Sequence, residues 1–241
     1  MRALVTGTTR GIGKAIKQML IQNGIDVYTI NRENEMCNGD FENIVCDLSN
    51  IQEVERVCAD IRMLEIDILI NNAGAGTPNL LENMSIEQII KEINLNLITP
   101  FLLIQSVIGH MKLKNFGRII NISSIAGNEG IPYLYAYSAA KAGMNTYAVS
   151  ISRTITNKNI TINTISPGGI ETDMAVEGRK NISSLRNLSP LEYQEHMIKN
   201  MCIGRLIKPD EVAQVIEFLI KPENGYITGQ KINICGAMEV G

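Results

Sequence analysis

The chain has 241 residues, of which 45% are hydrophobic and 20% charged, and its formal net charge is −3. A chain of this size and hydrophobic content can bury a large core, and a single α/β domain often has this length. The small negative charge gives no electrostatic reason to expect binding to nucleic acid or to a membrane surface, and no apolar run approaches the roughly 20 residues of a transmembrane helix.

The chain begins with a short apolar strand, a glycine-rich turn and an amphipathic helix. Ala3–Val5 is followed by the turn Thr6–Gly13, and apolar side chains recur at helical spacing over 11–23. A dinucleotide phosphate site requires this context, because a helix N-terminus presents free N–H groups and a positive dipole end to an anion. The coenzyme contacts predicted in this segment are Gly7, Thr9, Arg10, Gly11, Ile12 and Gly13.

Three glycines of this turn have separate expected roles. Gly7 makes the tight turn, Gly11 lets the backbone approach a pyrophosphate, and Gly13 allows the helix to pack closely on the strand. The spacing differs from the G-x-G-x-x-G fingerprint, so a purely structural glycine turn is the alternative interpretation.

The residues after the second predicted strand, Val27–Ile30, bear on the choice of coenzyme. An acidic side chain at this place holds the ribose 2′-hydroxyl of NAD, whereas an arginine accommodates the 2′-phosphate of NADP. The chain has Asn31 and Arg32 here, with Arg10 in the glycine turn. We therefore expect NADP(H) to be favoured over NAD(H). The alternative is that both arginines lie in solvent, and the nearby Glu33 argues against the preference.

Strand-like and helix-like segments alternate through the rest of the chain. Further strands are predicted at Asn43–Cys46, Asp67–Ile70, Arg118–Ile122, Thr161–Ile165 and Lys231–Ile234, and helices near 50–64, 85–114, 135–157 and 209–220. This alternation predicts right-handed βαβ units, and hence a single-domain, doubly wound parallel sheet over 1–241, Rossmann-like, with helices on both faces. The connection from Arg32 to Asn43 lacks a helical pattern, so we expect a loop there.

In such a sheet the loops after successive strands meet at one edge. Ligands of parallel sheets bind beyond the carboxyl ends of the strands, near the point where the strand order reverses. The residues that follow or end the first six predicted strands are Gly7, Arg32, Asp47, Asn72, Ser124 and Pro167. We expect all six loops to open on this edge.

A tyrosine and a lysine, Tyr137 and Lys141, lie four residues apart on a predicted helix and therefore share one face. A nearby ammonium favours the phenolate and lowers the pKa of tyrosine from about 10 toward the range of acid–base catalysis. If Ser124 lies across the cleft, it can hold a substrate oxygen against the phenol. The alternative is a solvated surface helix on which the pair arose by chance.

Six motifs occur in the order and spacing of one family. They are Thr6-Gly7-x-x-x-Gly11-x-Gly13, Asn71-Asn72-Ala73-Gly74, Asn96, Ser124, Tyr137-x-x-x-Lys141 and Ser166-Pro167-Gly168. From Ala3 to Met238 the chain therefore resembles the short-chain dehydrogenase/reductase superfamily, and it is most similar to bacterial 3-oxoacyl-(acyl-carrier-protein) reductases and their relatives. The resemblance implies an oxidoreductase that transfers a hydride between a nicotinamide and a carbonyl or secondary alcohol.

The resemblance also implies catalytic roles for four residues. Tyr137 donates the proton and Ser124 positions the carbonyl oxygen, so both contact the substrate. Lys141 lowers the pKa of the tyrosine and binds the nicotinamide ribose. Asn96 completes the tetrad by supporting a water linked to the lysine, and it fits the family pattern better than Asn94 does.

By the same resemblance, further residues border the coenzyme. Asp47 contacts the adenine and Leu48 covers it through its backbone, while Asn72, Ala73 and Gly74 border the ribose. Ile170 and Thr172 hold the carboxamide, and Pro167 and Gly168 before them are further predicted coenzyme contacts. Family members usually form tetramers through the helices near 100–114 and 138–157, so we expect a homotetramer.

The substrate is the least determined feature. The segment 175–203 is longer than in compact acyl-carrier reductases, and we interpret it as a flexible lid over the substrate; an ordinary surface excursion is the alternative. Asn115 stands where carrier-linked relatives often have arginine, and Cys235 where they commonly have Asp or Asn. We expect a small-molecule or carrier-thioester carbonyl substrate. A dehydrogenase of a cyclic or secondary alcohol and a non-catalytic dinucleotide sensor remain alternatives.

The cysteines indicate the compartment. They are odd in number, scattered and without C-x-x-C spacing, at Cys37, Cys46, Cys58, Cys202 and Cys235. This pattern is typical of reduced thiols in the cytoplasm, and Met1–Val5 runs directly into the first strand without a segment that resembles a cleavable signal. We find no metal-ligand cluster, Walker loop or nucleophile elbow, so we expect no metal.

Overall fold

Seven parallel strands form one sheet in the computed structural model, which describes residues 1–35, 39–155 and 158–238. The strands β1 to β7 cover Arg2–Thr6, Asp26–Asn31, Glu42–Val45, Ile68–Asn71, Phe116–Ile122, Asn159–Pro167 and Lys231–Ile234. They are ordered β3-β2-β1-β4-β5-β6-β7, and every neighbouring pair is parallel. The predicted doubly wound α/β sheet is therefore confirmed, with each predicted strand in its place.

Helices cover both faces of the sheet. The helices α1 to α9 cover Gly11–Gln22, Ile51–Ile61, Ile86–Ile93, Thr99–Lys114, Ala126–Glu129, Tyr135–Thr154, Asp173–Leu185, Pro190–Lys199 and Pro209–Ile220. Because alternate residues of a strand point to opposite faces, Val5 packs against α1 and α9 while Leu4 packs against α2 and α4. Most residues of the five central strands are buried, whereas the edge strands β3 and β7 have no buried residue.

The predicted helix over 85–114 is interrupted, which corrects the sequence-based expectation. The segment Asn94–Ile98 forms a π-helical turn between α3 and α4. Such a turn inserts one residue into the helix and therefore rotates the side chains that follow it; it occurs often at functional sites. Hydrophobic periodicity over the whole stretch does not reveal the insertion.

By length and composition alone, the stretch Ile86–Lys114 could cross a membrane, and it is the one such stretch among the described residues. The buried core helix of a soluble protein meets the same criterion. In this fold α4 packs Leu103, Ile104 and Val107 against the sheet, in the cluster that also holds α2. The position of α4 is that of a core helix.

Two further expectations from the sequence concern the connection between β2 and β3 and the end of α6. No helix forms in the described part of the connection, 32–35 and 39–41. Residues 36–38, with the predicted thiol Cys37, lie outside the described residues. The helix predicted over 135–157 ends at Thr154, and its last two predicted residues also lie outside the described part of the chain.

Candidate active site

The glycine turn after β1 is shaped by backbone that only glycine adopts easily. Gly7 has φ +70° and Gly11 has φ +56°, both in the left-handed region. Gly13 has no such angle, but a Cβ at this position would lie 2.0 Å from the carbonyl oxygen of Gly7. The first turn of α1 therefore packs directly on the loop, and no side chain of the described residues caps its N-terminus. This cradle fits the pyrophosphate of a dinucleotide.

Polar contacts from β4 and β2 hold the glycine turn in place. The side-chain amide of Asn72 donates to the carbonyl oxygens of Thr6 (2.9 Å) and Gly7 (2.8 Å). The Oγ1 of Thr6 accepts the backbone N–H groups of Asn72 (2.9 Å) and Ala73 (2.8 Å). Asn31 accepts the N–H of Thr8 at 2.8 Å. Asn72 and Asn31 thus hold the backbone of the glycine turn through hydrogen bonds.

The predicted coenzyme residue Asn31 is committed to the protein interior. Its side chain is buried, and its amide donates to Oγ1 of Thr8 (3.0 Å), to Asn43 (2.8 Å) and to Glu35 (3.1 Å). Glu35 also accepts from Thr8 and forms an ion pair with Lys17. Sequence reasoning missed Glu35, which places a carboxylate beside the glycine turn.

The exposed cations at the coenzyme edge are Arg10 and Arg32, and Thr9 beside them is exposed as well. Arg32 acts on Asp47 at the end of β3. Burial raises the pKa of Asp47, but hydrogen bonds from Ser49 and the charges of Lys91 and Arg32 outweigh it and hold the pKa below its ordinary value. The edge therefore combines the carboxylate of Asp47 with the exposed cations of Arg10 and Arg32.

Two other predicted coenzyme residues, Leu48 and Ile12, are apolar and pack against the protein interior. Leu48 is buried next to Asp47, and its carbonyl accepts the hydroxyl of Thr99 at 2.7 Å. Ile12 is half-buried and packs against the core below the glycine turn. These contacts hold two of the predicted coenzyme residues in place.

Loops after β6 approach the glycine turn from the other side. Pro167 is the last residue of β6, and a Cβ on Gly168 would meet Cα of Cys235 at 3.0 Å. Ile170 forms an isolated parallel bridge with Ile207. Thr172 caps α7 by accepting the N–H of Ala175 (3.2 Å), and its methyl group would lie 2.9 Å from a Cβ on Gly11. Gly11, predicted to border the pyrophosphate, and Thr172, predicted to hold the carboxamide, therefore lie next to each other.

Ser124 lies close enough to Tyr137 that a side-chain hydrogen bond from its hydroxyl lowers the pKa of the tyrosine. Tyr137 lies in the first turn of α6, Ser124 follows β5, and the hydroxyl of Ser124 also accepts the N–H of Ala126 at 3.1 Å. A Cβ on Gly76 would lie 2.7 Å from Cγ of Tyr137, so the loop after β4 packs against the base of the tyrosine ring. The side chains predicted to share the substrate oxygen are thus together.

Lys141 lies one turn along α6 from Tyr137 and is buried, with 2% of its surface exposed. Its Nζ donates to the carbonyl oxygen of Ile122 (2.8 Å) and stands 5.6 Å from the centroid of the Tyr137 ring. Burial lowers the pKa of Lys141 to about 7. Tyr137 and Lys141 therefore share one helix face, as the spacing predicts.

The expected effect of Lys141 on the tyrosine is not what the structure shows. Burial raises the pKa of Tyr137, and the negative charge of Glu92 raises it further, whereas the hydrogen bond with Ser124 lowers it. The ammonium of Lys141 is itself desolvated and hydrogen-bonded to a carbonyl. In the protein without coenzyme, desolvation thus outweighs the neighbouring cation.

Asn96 lies in the π-helical turn and is fully buried. Its Nδ2 donates to the carbonyl oxygens of Ala75 (2.7 Å) and Glu92 (2.8 Å), while its Oδ1 has no partner among the described residues. A Cβ on Gly74 would lie 2.8 Å from this Oδ1 and 3.1 Å from Nζ of Lys141. Asn96 therefore aims an unpaired acceptor at the space beside the lysine, where a polar ligand atom or water would satisfy it.

Glu92 is a second residue that sequence reasoning missed. It is 6% exposed on α3, one helical turn before Asn96, and its charge acts on Tyr137. The signal was an acidic residue placed four positions before Asn96, on the helix face that carries the asparagine into the interior.

The predicted lid consists of two helices, α7 and α8, instead of the single amphipathic piece expected near 191–201. A Cβ on Gly169 would lie 2.4 Å from the Cε of Met201 and 3.0 Å from that of Met197. Through these two methionines, α8 and the residues just after it pack on the loop after β6. The guanidinium of Arg179 donates to the carbonyl of Ile170 at 3.1 Å and seats α7.

Comparisons with known proteins agree with this geometry. The family model for short chain dehydrogenases matches residues 1–183. The chain is 34% identical to the 3-oxoacyl-(acyl-carrier-protein) reductase of Vibrio harveyi and 35% identical to that of Escherichia coli; each match covers 98% of this chain and 96% of the relative.

Solved structures extend the likeness. A variant of actinorhodin polyketide ketoreductase with NADPH has a TM-score of 0.89 at 29% identity, covering 98% of this chain and 95% of that one. Levodione reductase has a TM-score of 0.88 at 26% identity, covering 98% and 96%. With the family model matching most of the chain, the protein belongs to the short-chain dehydrogenase family, whose members are NAD(P)-dependent oxidoreductases of carbonyl and alcohol groups.

Proposed function

We propose that this protein is an NADP(H)-dependent carbonyl reductase whose substrate is a 3-oxoacyl thioester, presented by a small carrier or by an acyl-carrier protein. The observation that carries the proposal is the pairing of Ser124 with Tyr137, whose ring centroid lies 5.6 Å from Nζ of the buried Lys141, at the edge of the sheet where the glycine turn opens. The relatives named as 3-oxoacyl reductases support the substrate class.

Each residue of the chain has a defined task in this reaction. Ser124 and Tyr137 both donate hydrogen bonds to the carbonyl oxygen and so orient the carbonyl. Tyr137 then transfers its proton to that oxygen as the general acid. The phenolate left behind is stabilised by the hydroxyl of Ser124 and by the ammonium of Lys141. When bound, NADP(H) supplies or accepts the hydride.

The preference for NADP(H) is part of the proposal. Arg10 and Arg32 are exposed cations at the adenosine end of the cleft, where a 2′-phosphate carries its charge. Glu35 lies against the glycine turn, but its carboxylate is engaged by Thr8, Asn31 and Lys17. Because these contacts already satisfy the carboxylate, we expect Glu35 to bind the ribose 2′-hydroxyl of NAD only weakly.

We also propose a homotetramer in the cytoplasm, with segment 175–203 as the substrate lid. The exposed side chains on α4 include Phe101, whose ring meets that of Tyr147 on α6 edge-on at 5.6 Å. An apolar surface shared by these two helices supports association between copies. The four cysteines in the described part of the chain are free thiols, which supports a reducing compartment.

The test is a substrate panel with a matched active-site variant. Acetoacetyl and longer 3-oxoacyl thioesters should consume NADPH, whereas cyclic secondary alcohols with NADP⁺ should react poorly. Tyr137→Phe should bind NADPH with an unchanged Kd and lose a factor of about 10² to 10⁴ in kcat, the usual contribution of a general acid. Preference for the cyclic alcohols would favour the dehydrogenase alternative, and an unaffected Tyr137→Phe would refute the catalytic assignment.

A further inference from the structure

A loop after β4 lies over the catalytic residues and is anchored by buried polar side chains. We define this loop, Gly74–Asn79, as the strap. At Gly74 it passes Asn96 and Lys141, and at Gly76 it packs on the ring of Tyr137. The N–H of Asn79 donates to the carbonyl of Tyr133 at 3.1 Å, four residues before the catalytic tyrosine. The position of the strap therefore sets the space around the phenol.

Glu92 on α3 anchors the centre of the strap. Its Oε1 accepts the backbone N–H of Thr77 at 2.9 Å and the amide of Gln88 at 3.3 Å. The same amide of Gln88 donates to the carbonyl of Thr77 at 2.9 Å. The backbone carbonyl of Glu92 accepts from Asn96 at 2.8 Å. One residue thus connects the strap to the π-helical turn that orients Asn96.

The hydrogen bonds alone do not require a charge. A glutamine at position 92 could accept both contacts through its side-chain oxygen, without the cost of burying a carboxylate. The charged groups that face Tyr137 are Glu92 from α3 and Lys141 from its own helix; Ser124 contributes a neutral hydroxyl, and the strap contributes Gly76. The carboxylate is therefore the one anion among these groups.

We propose that Glu92 is a positioning residue for the reduction, which holds the strap against the ring of Tyr137 and places one negative charge beside the proton-transfer site. The inference rests on the proposed function, since it assumes that Tyr137 is the proton donor. A negative charge disfavours the phenolate, and therefore keeps the phenol protonated and able to donate over a wider alkaline range. A reductase benefits from this, whereas an alcohol dehydrogenase, which needs the phenolate, does not.

Glu92→Gln separates the charge from the hydrogen bonds. Reduction requires the protonated phenol, so kcat falls as the pH rises through the pKa of the catalytic group. Removing the negative charge lowers that pKa, and the alkaline limb of the kcat profile should move to lower pH by about half a unit or more. The control is Glu87→Gln, which makes the same charge change at an exposed position of the same helix and should leave the profile in place.

Glu92→Ala removes the anchor as well as the charge. Hydrogen–deuterium exchange over residues 74–79 should be faster in Glu92→Ala than in wild type, whereas Glu92→Gln should retain the protection of the Thr77 amide. We expect kcat to fall by about tenfold in Glu92→Ala, and Glu92→Gln to restore most of it at neutral pH. The Kd for NADPH should change little in either variant.

Three results would overturn the proposal. They are an alkaline limb that does not move in Glu92→Gln, a limb that moves equally in Glu87→Gln, and strap exchange that is unchanged in Glu92→Ala. If wild type reduces none of the carbonyl compounds, the proposed function fails instead; the exchange measurement then still decides whether Glu92 holds the strap.

Discussion

Lys141 shows at the residue scale that a buried cation lowers the stability of the folded protein. Its ammonium is buried with one carbonyl acceptor, and burial lowers its pKa from 10.5 to about 7. Because the folded state resists protonation, the unfolded chain binds a proton that the folded protein does not bind between these two values. The free energy of unfolding therefore rises with pH over this range and is lowest below about pH 7.

Replacing this cation should stabilise the protein. Lys141→Met should raise the free energy of unfolding of the coenzyme-free protein by about 1–3 kcal/mol at pH 7, after allowing for the lost hydrogen bond to Ile122. The gain should shrink steadily as the pH rises from about 7 toward 10.5, because only the unfolded chain binds the proton over this range, and it should be clearly smaller at a pH of about 9.5. Urea unfolding at both pH values and one protein concentration measures it. A difference that stays constant with pH would contradict the burial cost, and the variant should show almost no turnover.

The residue scale also shows the limit of reasoning from spacing. A tyrosine and a lysine four apart predict a shared face, which Tyr137 and Lys141 do share. Spacing does not report how deeply the pair is buried or which other charge faces it. Glu92 comes from a helix some 45 residues earlier in the chain, so its effect on Tyr137 depends on tertiary packing.

The glycine turn and α1 form one element, and Gly13 is the point where they touch. Gly13→Ala would place a Cβ 2.0 Å from the carbonyl oxygen of Gly7 and 2.5 Å from the amide nitrogen of Asn72, both of which are held by the hydrogen bonds of the turn. We expect insoluble protein or a loss of at least about 3 kcal/mol in the free energy of unfolding.

The matched control for this variant is Gly178→Ala within α7. A Cβ there meets nothing within 4 Å, and the backbone is helical. Alanine should therefore be neutral or stabilising by up to about 1 kcal/mol. Soluble yield and urea unfolding of both variants measure the contrast. Equal stability of the two would show that the helix can shift away from the turn.

The π-helical turn and the lid illustrate what local sequence patterns omit at the element scale. Apolar periodicity over 85–114 predicts one helix, because one inserted residue shifts the register without breaking the apolar character. The lid was expected as a flexible segment with one amphipathic piece. It forms α7 and α8, each with a side-chain cap, from Thr172 and Ser189. Both caps are visible in the sequence, since Thr and Ser are preferred N-caps.

The lid helices should be less stable than the core helices. α7 and α8 pack mainly on each other, and they reach the rest of the protein through a few contacts such as Met201 and Arg179. Their amides should therefore exchange with deuterium faster than those of α9, which buries Val212 and Ile216 in the core. Saturating NADPH should slow exchange in α7, which begins beside the glycine turn. Exchange in α7 and α8 as slow as in α9 would argue against a movable lid.

At the scale of the whole molecule, parallel pairing explains why distant motifs form one site. Because all seven strands run in the same direction, the ends of β1, β4, β5 and β6 meet at one edge, with Gly7, Asn72, Ser124 and Pro167 at or just beyond them. Apolar alternation and βαβ spacing were enough to predict this sheet. The polar supports Glu35 and Glu92 were missed, because their contacts with the glycine turn at Thr8 and with the loop at Thr77 depend on tertiary packing.

Coenzyme binding should stabilise the whole fold, and this provides a test of NADP(H) preference that needs no substrate. A ligand at 100 times its Kd stabilises the folded state by about 2.7 kcal/mol, and a tenfold difference in Kd is worth about 1.4 kcal/mol. For a chain of 241 residues, NADPH should therefore raise Tm by roughly 3–6 °C more than NADH at equal concentration. Replacing Arg10 and Arg32 together by alanine should remove most of this difference in Tm and leave the shift with NADH unchanged. The control is Arg62→Ala, which removes an exposed arginine just after α2 and should change neither the NADPH shift nor the NADH shift. An equal or larger shift with NADH would show that the two arginines do not read a 2′-phosphate, and would refute the preference for NADP(H).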